Sequence, residues 1–444
     1  MDSPAQAVNA PVLAAEPAPA GAPPFRSAHF RWVVCALVFF AVANNYLDRQ
    51  VFGVMGPELM KIFGWTAVQF TDIVFWFQVA YGIGFLLTGR IFDLIGTRIG
   101  FAIAVAVWSV AAILHAGMAS LLSFKIVRFW LGLAEPANLP GSMKAIAEWF
   151  PRRERALATG FYKAGSNVGA MVVPLVVPWL FFSFGWRATF LITGSTGFIW
   201  LIFWLRYYRT PQESSDVTPE ERAYILSDPI AAPGRVKWST VLRQRETWAY
   251  LAFKFLTDSI WFWYGALFPL FLSQNFKLSL KEFGLPLIVI YLIADFGSVG
   301  GGWLSTHWIR RGWSITRARK VAMLICCLCT VPVIFVTQTH RLWLVISLVG
   351  LAHAAHQGLT SNLFTTVSDL FPKQAIGTVA GLGGAAGQIG TAIMTLLTGY
   401  LLATTGSFTA LFFIAGSSYL VAWTIFHFAV PSLEPLQLEP AATT

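Results

Sequence analysis

The sequence predicts an all-α integral membrane protein with twelve transmembrane helices in two six-helix bundles. Three observations support this prediction: of the 444 residues 56% are apolar, only 12% are charged, and the mean hydropathy is +0.63. Soluble proteins carry about 25% charged residues, so the solvent of this chain is a bilayer. Charge-free runs such as Leu411 to Val430 exclude a transmembrane β-barrel, because barrel strands alternate apolar and polar residues.

The first half of the chain contains a tail and six charge-poor runs. Residues 1–28 are rich in Ala and Pro and predict a disordered cytoplasmic tail, because they cannot bury enough apolar surface to fold. Residues 29–208 predict the first bundle, since each run is close to the length of about 20 residues that a span needs. The six runs are Trp32 to Val54, Ala67 to Thr88, Ile99 to Gly117, Leu121 to Ile146, Ala156 to Phe181 and Ala188 to Tyr207.

A polar segment divides the chain in two. Residues 209–246 predict a cytoplasmic linker, in which Thr218-Pro-Glu-Glu-Arg predicts a short, capped surface helix. Residues 247–430 predict the second bundle, and residues 431–444 predict a cytoplasmic C-terminal tail. The six runs of this bundle are Thr247 to Leu272, Phe283 to His307, Val321 to Thr337, Leu342 to Val367, Ile376 to Ala403 and Phe408 to Val430.

The distribution of Lys and Arg predicts that both termini are cytoplasmic. An even number of spans puts the termini on one side, and basic residues crowd cytoplasmic loops. Of the 31 Lys and Arg residues, 21 lie on the side of the termini, five lie within spans and five lie on the opposite side. We therefore expect a multi-pass membrane protein with both termini in the cytoplasm. The five basic residues on the opposite side are Lys61, Arg187, Lys277, Lys281 and Arg341.

The same bias explains the formal net charge of +10 without a nucleic-acid partner. The cysteines lie in apolar runs with no nearby His or carboxylate, so we expect them to pack and not to form a metal site or disulfides. The Gly-rich run Gly381 to Gly390 lacks the strand-turn-helix context of a nucleotide site. The sequence thus predicts no metal, no cofactor and no nucleic acid. The four cysteines are Cys35, Cys326, Cys327 and Cys329.

Ionisable residues inside the predicted spans are the main functional signal. Each costs about 2.5 to 3.5 kcal/mol at a helix centre, so most must face a cavity or a partner. For Lys125 and Lys254, snorkelling to an interface is an equally good explanation. The residues concerned are Asp48, Arg49, Lys125, Arg128, Glu135, Lys163, Lys254, Asp258 and Asp295.

The first and fourth spans carry charges of both signs. Arg128 and Glu135 are separated by about two helical turns and share one face, whereas Asp48 and Arg49 are adjacent in the first span. Two guanidinium groups in a cavity suit a carboxylate, because the planar fork matches two oxygens, and sulfate or phosphate would also fit. The structural alternative is a clamp in which Asp48 binds Arg128 and Glu135 binds Arg49.

Aromatic, hydroxyl and amide groups complete a candidate site for a polar ligand. Tyr46 precedes Asp48 by two residues, and Lys163, Ser166 and Asn167 share a face of the fifth span. Packing or interhelical hydrogen bonding is the alternative for each of them. Further candidates are Tyr81 in the second span, Trp261 in the seventh, Asn362 in the tenth and Gln388 in the eleventh.

Small residues predict close contacts between helices. Gly165 and Gly169 in the fifth span, and the run Gly297 to Gly302 in the eighth, leave room for a second backbone. We therefore expect other helices to approach these two spans closely.

Several motifs resemble those of a known family. The loop containing Gly89, Asp93, Gly96 and Arg98 is similar to the signature loop between spans two and three of the major facilitator superfamily. Other motifs resemble the anion:cation symporter family, which includes hexuronate, galactonate and vesicular glutamate transporters. The resemblance covers about residues 28–430 and is strongest to bacterial hexuronate transporters, which implies a location in a bacterial inner membrane. These motifs are Tyr46-Leu-Asp-Arg49, Arg128-Phe-Trp-Leu-Gly-Leu-Ala-Glu135, Glu148-Trp-Phe-Pro-Arg-Arg-Glu-Arg155 and Ser368-Asp-Leu-Phe-Pro372.

The resemblance implies a secondary active transporter that imports an organic anion together with protons, by alternating access. A hexuronate or a related sugar acid is the expected substrate. The resemblance further implies that Asp48 and Glu135 carry protons, that Arg49 and Arg128 act in the substrate and coupling network, and that the loop after span two is a gate. Tyr46 and Tyr81 match positions that line the site, whereas Lys163 stands where hexuronate relatives are expected to have a neutral residue.

Other functions are weighed against this expectation. An uncoupled facilitator is the mechanistic rival, and a symporter of an aldonate, a dicarboxylate or an aromatic acid is the rival in substrate. An intramembrane enzyme is disfavoured, because no metal set or Ser-Lys dyad has plausible spacing. A sensor is disfavoured, because the linker and tails contain no recognisable output domain. We expect a monomer whose partners are the anion, the proton and the lipid bilayer.

Overall fold

The computed structural model describes residues 29–227 and 238–436 of the chain. The predicted N-terminal tail lies outside these ranges, as do residues 228–237 of the predicted linker and residues 437–444 of the predicted C-terminal tail. Fourteen α-helices and four 3₁₀ segments form the secondary structure of the described residues. The helices are α1 (Phe30–Phe63), α2 (Ala67–Ile95), α3 (Thr97–Leu114), α4 (Leu121–Ala134), α5 (Asn138–Trp149), α6 (Arg152–Tyr207), α7 (Pro219–Ile225), α8 (Trp238–Leu242), α9 (Arg245–Phe276), α10 (Gly284–Arg310), α11 (Ile315–Thr330), α12 (Leu342–Leu370), α13 (Lys373–Thr405) and α14 (Thr409–Ala429).

These helices make twelve membrane passes within the described ranges. Ten helical segments are each long and apolar enough to cross a membrane. One of them, α6, contains two passes, because its backbone leaves helical geometry at Gly185 (φ 82°, ψ 167°). A further pass consists of α4 and α5, which are separated by a 3₁₀ segment, Glu135–Ala137. The predicted all-α membrane fold with twelve spans is therefore confirmed.

The reversal inside α6 is visible in its contacts with α1. Before the reversal, the carbonyl of Ala158 accepts a hydrogen bond from the Cys35 thiol, with Sγ at 3.6 Å. After it, Trp200 Nε1 donates to the carbonyl of Leu37 at 2.7 Å. The two ends of α6 therefore lie at the same level of the membrane. Glycine at position 185 permits this turn, because a positive φ is strained for residues that carry a Cβ.

The first span is longer than its apolar run predicts. Helix α1 continues from Val54 to Phe63, where Gly64 adopts a left-handed conformation (φ 67°) and its N–H bonds to the carbonyl of Met60. The extension carries Glu58 and Lys61, which form an ion pair at 2.9 Å across one turn. The helix therefore continues past the charge-free run through a turn that carries this ion pair.

The two halves of the protein face each other through three helix pairs: α1 with α9, α2 with α13, and α6 with α10. We call the membrane side that holds residues 29 and 436 the terminal side, and the other the far side. One buried apolar cluster joins both halves, and its members near the far side include Phe52 and Leu59 with Leu267 and Phe271. A second apolar cluster contains residues of the first half and of the linker. The space between the halves is therefore closed at the far side.

The linker contains the short helix that its sequence predicts. Helix α7 is capped by Thr218, whose hydroxyl accepts a hydrogen bond from the backbone N–H of Glu221 at 3.2 Å. The Glu221 carboxylate also accepts bonds from the backbone N–H groups of Phe30 and Arg31, at 2.9 and 3.2 Å, and pairs with the Arg31 guanidinium. The helix is thus tied to the first turn of α1.

Close helix contacts occur at the predicted glycines. A Cβ at Gly165 would lie 2.4 Å from the carbonyl oxygen of Phe39, and a Cβ at Gly169 would lie 2.3 Å from that of Ala43. In the second half, a Cβ at Gly301 would lie 2.2 Å from the Cα of Gly358. The expectation of close backbone approach is confirmed at these positions.

Gly169→Ala should lower the melting temperature of the protein in detergent, because the new methyl group would overlap the backbone of α1. Such overpacking costs about 1 to 3 kcal/mol. The matched control is Gly160→Ala in the same helix, where the added Cβ meets no atom of the described chain within 4 Å. That variant should be as stable as wild type or more so, since Ala favours a helix over Gly by about 1 kcal/mol. Equal melting temperatures for the two variants would contradict a tight contact between α1 and α6.

Candidate functional site

A cavity lies between the two halves, lined by α1, α2, α4 and α6 on one side and by α9, α10 and α12 on the other. Six of the predicted substrate residues line this cavity. The further lining residues include Gln50, Gln78, Phe262 and Tyr291, which were not predicted from the sequence. The predicted residues that line it are Tyr46, Arg49, Arg128, Ser166, Asn167 and Trp261.

The centre of the site is a buried ion pair between Arg49 of α1 and Glu135. Arg49 Nε donates to Glu135 Oε2 at 2.9 Å, and the carboxylate is fully buried. Arg49 Nη2 donates to Asn45 Oδ1 at 3.1 Å and also to the hydroxyl of Tyr81. The guanidinium carbon lies 4.4 Å from the Tyr81 ring centre and 5.0 Å from that of Tyr46. Ion pairing, hydrogen bonds and ring faces together compensate for removing this cation from water.

The position of Glu135 corrects the predicted geometry of the fourth span. The sequence predicts a continuous helix from Leu121 to Ile146, but α4 ends at Ala134 and Glu135 begins a 3₁₀ segment. The physical reason is Pro136, which has no backbone N–H to donate to the carbonyl four residues earlier, whereas Glu135 itself keeps helical dihedral angles (φ −59°, ψ −35°). Asn45 Nδ2 donates to the carbonyl of Glu135 at 3.3 Å and so bonds α1 to this break.

Asp48 and Arg128 lie beside this pair but do not complete the predicted clamp. Asp48 Oδ2 accepts a hydrogen bond from Asn44 at 3.1 Å. Arg128 Nη2 donates to the carbonyl of Arg49 at 3.3 Å, and its guanidinium lies between the rings of Phe52 and Phe77, 4.5 and 4.7 Å from their centres. The Arg49–Glu135 half of the clamp is present, whereas Asp48 and Arg128 form no ion pair in the described part of the chain.

The remaining intramembrane charges have partners that hydropathy alone does not reveal. Lys125 forms an ion pair with Asp72 of α2, a residue that lies in the second predicted span and was overlooked as a candidate. Lys254 pairs with Asp258, one turn later in α9. Snorkelling is therefore not needed to account for either lysine. Asp295 of α10 accepts a hydrogen bond from Asn167 of α6, which joins the two halves beside the cavity.

Four predicted substrate residues do not line the cavity. Tyr81 reaches it only through Arg49. Asn362 is buried, and its amide donates to the carbonyls of Gly301 and Gly358 at 2.8 and 3.0 Å, so it joins α12 to α10. Gln388 is buried in α13 and lies outside the lining. Lys163 lies exposed one turn before Ser166, and its ammonium is 4.8 Å from the ring centre of Phe364.

The predicted gating loop forms the turn between α2 and α3. Gly96 has a positive φ of 77°, which Gly adopts without strain, and its N–H bonds to the carbonyl of Phe92. Arg98 Nη2 donates to the carbonyl of Leu205 at 2.7 Å, at the terminal-side end of α6. Gly89 and Asp93 lie within α2, and the side chain of Asp93 is outside the described part of the structure. The gating role of this loop stays a prediction.

The cavity also depends on residues that no single motif indicates. Tyr291 of α10 donates to Gln50 of α1 at 3.1 Å and so bonds the two halves. The rings of His353 and His356 lie 4.9 and 4.6 Å from the ring of Trp261. Helical spacing could have identified Asn45, because it precedes Arg49 by four residues and therefore shares its face.

The family follows from comparison with known proteins. A sequence model described as Major Facilitator Superfamily matches residues 38–395. The chain belongs to the Major Facilitator Superfamily. It is therefore a multi-pass membrane transporter and not an enzyme.

Two curated transporters are similar to this chain over much of its length. The hexuronate transporter of Escherichia coli strain K12 is 29% identical over 406 residues, which cover 89% of this chain and 94% of that protein. The galacturonate transporter of Dickeya chrysanthemi is 32% identical over 289 residues, which cover 63% of this chain and 83% of that protein. Among solved structures, a D-xylose-proton symporter has a TM-score of 0.71 and 14% identity, covering 92% of this chain and 99% of that one.

Proposed function

We propose that this protein imports a sugar acid, a hexuronate or a related compound, together with protons, by alternating access. The observation that carries the proposal is the ion pair between Arg49, which lines the cavity between the two halves, and the buried Glu135. The similar hexuronate and galacturonate transporters support the choice of sugar acids. The guanidinium supplies planar, charge-assisted donors that fit a carboxylate.

Coupling follows from competition for one guanidinium. Glu135 Oε2 occupies Arg49 Nε, which a substrate carboxylate would also need. An anion that displaces Glu135 leaves a buried carboxylate without its partner, and an unpaired charge in this environment is costly. Protonation of Glu135 removes that cost and frees Arg49. Proton binding and anion binding therefore favour each other at this site.

The apolar closure at the far side fits one state of an alternating-access cycle. The halves share a buried cluster there, whereas Lys163 lies exposed nearer the terminal side. If the terminal side is cytoplasmic, as the distribution of Lys and Arg predicts, the structure represents an inward-facing state. Opening at the far side would require separating Phe52 and Leu59 from Leu267 and Phe271.

Proteoliposome uptake of galacturonate tests the proposal. An inwardly directed proton gradient should drive accumulation of the anion above its external concentration. In lightly buffered medium the external pH should rise as uptake proceeds, because protons leave that medium with the substrate. Uptake without any change in external pH would favour the uncoupled facilitator, and an absence of uptake for galacturonate, glucuronate and galactonate would overturn the substrate class.

Glu135→Gln should abolish accumulation driven by the proton gradient, because an amide keeps the shape of the side chain but carries no exchangeable proton. Exchange of internal for external substrate should survive. Glu148→Gln is the matched control: Glu148 accepts hydrogen bonds from Thr97 and Tyr208 outside the cavity, so this variant should accumulate substrate. If Glu135→Gln still accumulates galacturonate against its gradient, the coupling carboxylate is elsewhere, with Asp48 as the next candidate.

Arg49→Lys should weaken galacturonate binding about tenfold or more, because a single ammonium cannot replace the donors that contact Glu135, Asn45 and Tyr81. Arg128→Lys should weaken it less, since Arg128 donates one longer hydrogen bond and packs between two rings. Tryptophan fluorescence quenching or calorimetry measures both affinities.

The control for these arginine variants is Arg187→Lys, because the Arg187 guanidinium lies 4.9 Å from the ring centre of Trp186, outside the cavity lining. This variant should bind galacturonate as wild type does. Wild-type affinity in Arg49→Lys would contradict the role of Arg49 as the carboxylate ligand.

A further inference from the structure

Two lysines that the proposed coupling does not use approach the same aromatic ring from opposite halves of the protein. Lys163 Nζ of α6 lies 4.8 Å from the ring centre of Phe364, and Lys254 Nζ of α9 lies 5.1 Å from it. Phe364 belongs to α12, in the second half, and 41% of its surface is exposed. A lysine of the first half that contacts a helix of the second half points into the space between the halves and not toward lipid.

The two ammonium groups are neutralised unequally. Lys254 is buried and forms an ion pair with Asp258. For Lys163, no carboxylate lies within ion-pair distance among the described residues, and its side chain is exposed. Two cations lie near one ring, and only one carboxylate, that of Asp258, pairs with them, so a local excess of positive charge remains among the described residues. An anion placed there would gain from both ammonium groups.

The pair lies close to the site of Arg49 along two helices. Lys163 precedes Ser166 and Asn167, which line the cavity, by about one turn. Lys254 precedes Phe262 by about two turns of α9. Its ammonium bonds to Asp258, about one turn closer to Phe262, so about one turn remains between the ammonium and Phe262. The Phe262 ring centre is itself 5.8 Å from the Arg49 guanidinium. About one turn of α9, roughly 5 Å, and the 5.8 Å from Phe262 to Arg49 therefore separate the Lys254 ammonium from the guanidinium, a span that an extended six-carbon dicarboxylate can bridge when each carboxylate hydrogen-bonds one cation.

We propose that Lys163 and Lys254 bind a second carboxylate of the substrate, so that the transporter prefers dianionic to monoanionic sugar acids. This inference rests on the proposed function, because it takes Arg49 as the ligand of the first carboxylate. A hexuronate ends in an uncharged aldehyde or ring carbon where an aldarate carries a second carboxylate. Only the aldarate satisfies Arg49 and the lysine pair together.

The test compares the affinities of purified full-length protein for galactarate, a dianion, and galacturonate, a monoanion of the same carbon skeleton. Calorimetry in detergent at neutral pH gives both dissociation constants. Wild type should bind galactarate more tightly, and Lys163→Gln should reduce the galactarate affinity about tenfold or more, with a smaller effect on galacturonate. Lys163→Arg keeps the positive charge and should therefore retain the preference for galactarate that Lys163→Gln loses.

Two further variants make the result specific to these lysines. Lys254→Gln combined with Asp258→Asn removes both members of the ion pair, leaves no unpaired buried charge, and should also reduce the preference. Lys281→Gln is the matched control, because the Lys281 ammonium lies 4.6 Å from the ring centre of Phe182, another lysine–phenylalanine contact between the halves, outside the cavity lining. Its galactarate-to-galacturonate affinity ratio should equal that of wild type.

Each outcome decides between the two proposals. If wild type binds both acids and the ratio is the same in Lys163→Gln, the lysine pair does not bind substrate, while the proposed function stands. If Lys163→Gln weakens the binding of both acids equally and lowers the melting temperature of the protein, the lysine is structural and the inference is overturned. If wild type binds neither acid, the proposed function fails and the inference fails with it.

Discussion

The buried ion pair between Arg49 and Glu135 is the constraint around which the site is arranged. Each ion loses several kcal/mol of hydration when it is buried, and the pair is stable only if further hydrogen bonds compensate. Asn45 and Tyr81 supply acceptors for the guanidinium N–H groups that do not bond to the carboxylate. Glu135, where α4 passes into the 3₁₀ segment, supplies the carboxylate. Local features of α1, α2 and α4 thus serve one electrostatic requirement.

The same requirement determines where other charges lie. Lys125 with Asp72, and Lys254 with Asp258, form ion pairs within the membrane-spanning helices, so none of these charges faces lipid alone. Apolar contacts join the halves, because one buried cluster contains large rings and aliphatic side chains of both, among them Phe52 and Leu59 with Leu267 and Phe271. Ion pairs that lie within one half, such as Lys125 with Asp72, need not break when these apolar contacts separate.

Sequence predicts the twelve spans and most of the charged residues of the site, because length, hydropathy and helical spacing determine which residues share a face. It does not predict which neighbouring helix that face meets. Asn362 shows the limit: as a buried amide in a span it looks like a ligand, yet its donors bond α12 to the backbone of α10. The break at Glu135 is similar, because a proline in a membrane helix can be accommodated without ending it. Asp72 was overlooked because its partner, Lys125, lies on another helix.

The choice of arginine at position 49 limits where a coupling proton can reside. A guanidinium stays protonated in proteins, so the Arg49–Glu135 pair loses its attraction only when the carboxylate takes up a proton. In the proposed mechanism, this pair therefore links the arrival of one proton to the release of one carboxylate-binding group. If coupling occurs there, it needs no long-range signal, since proton and anion act on the same guanidinium.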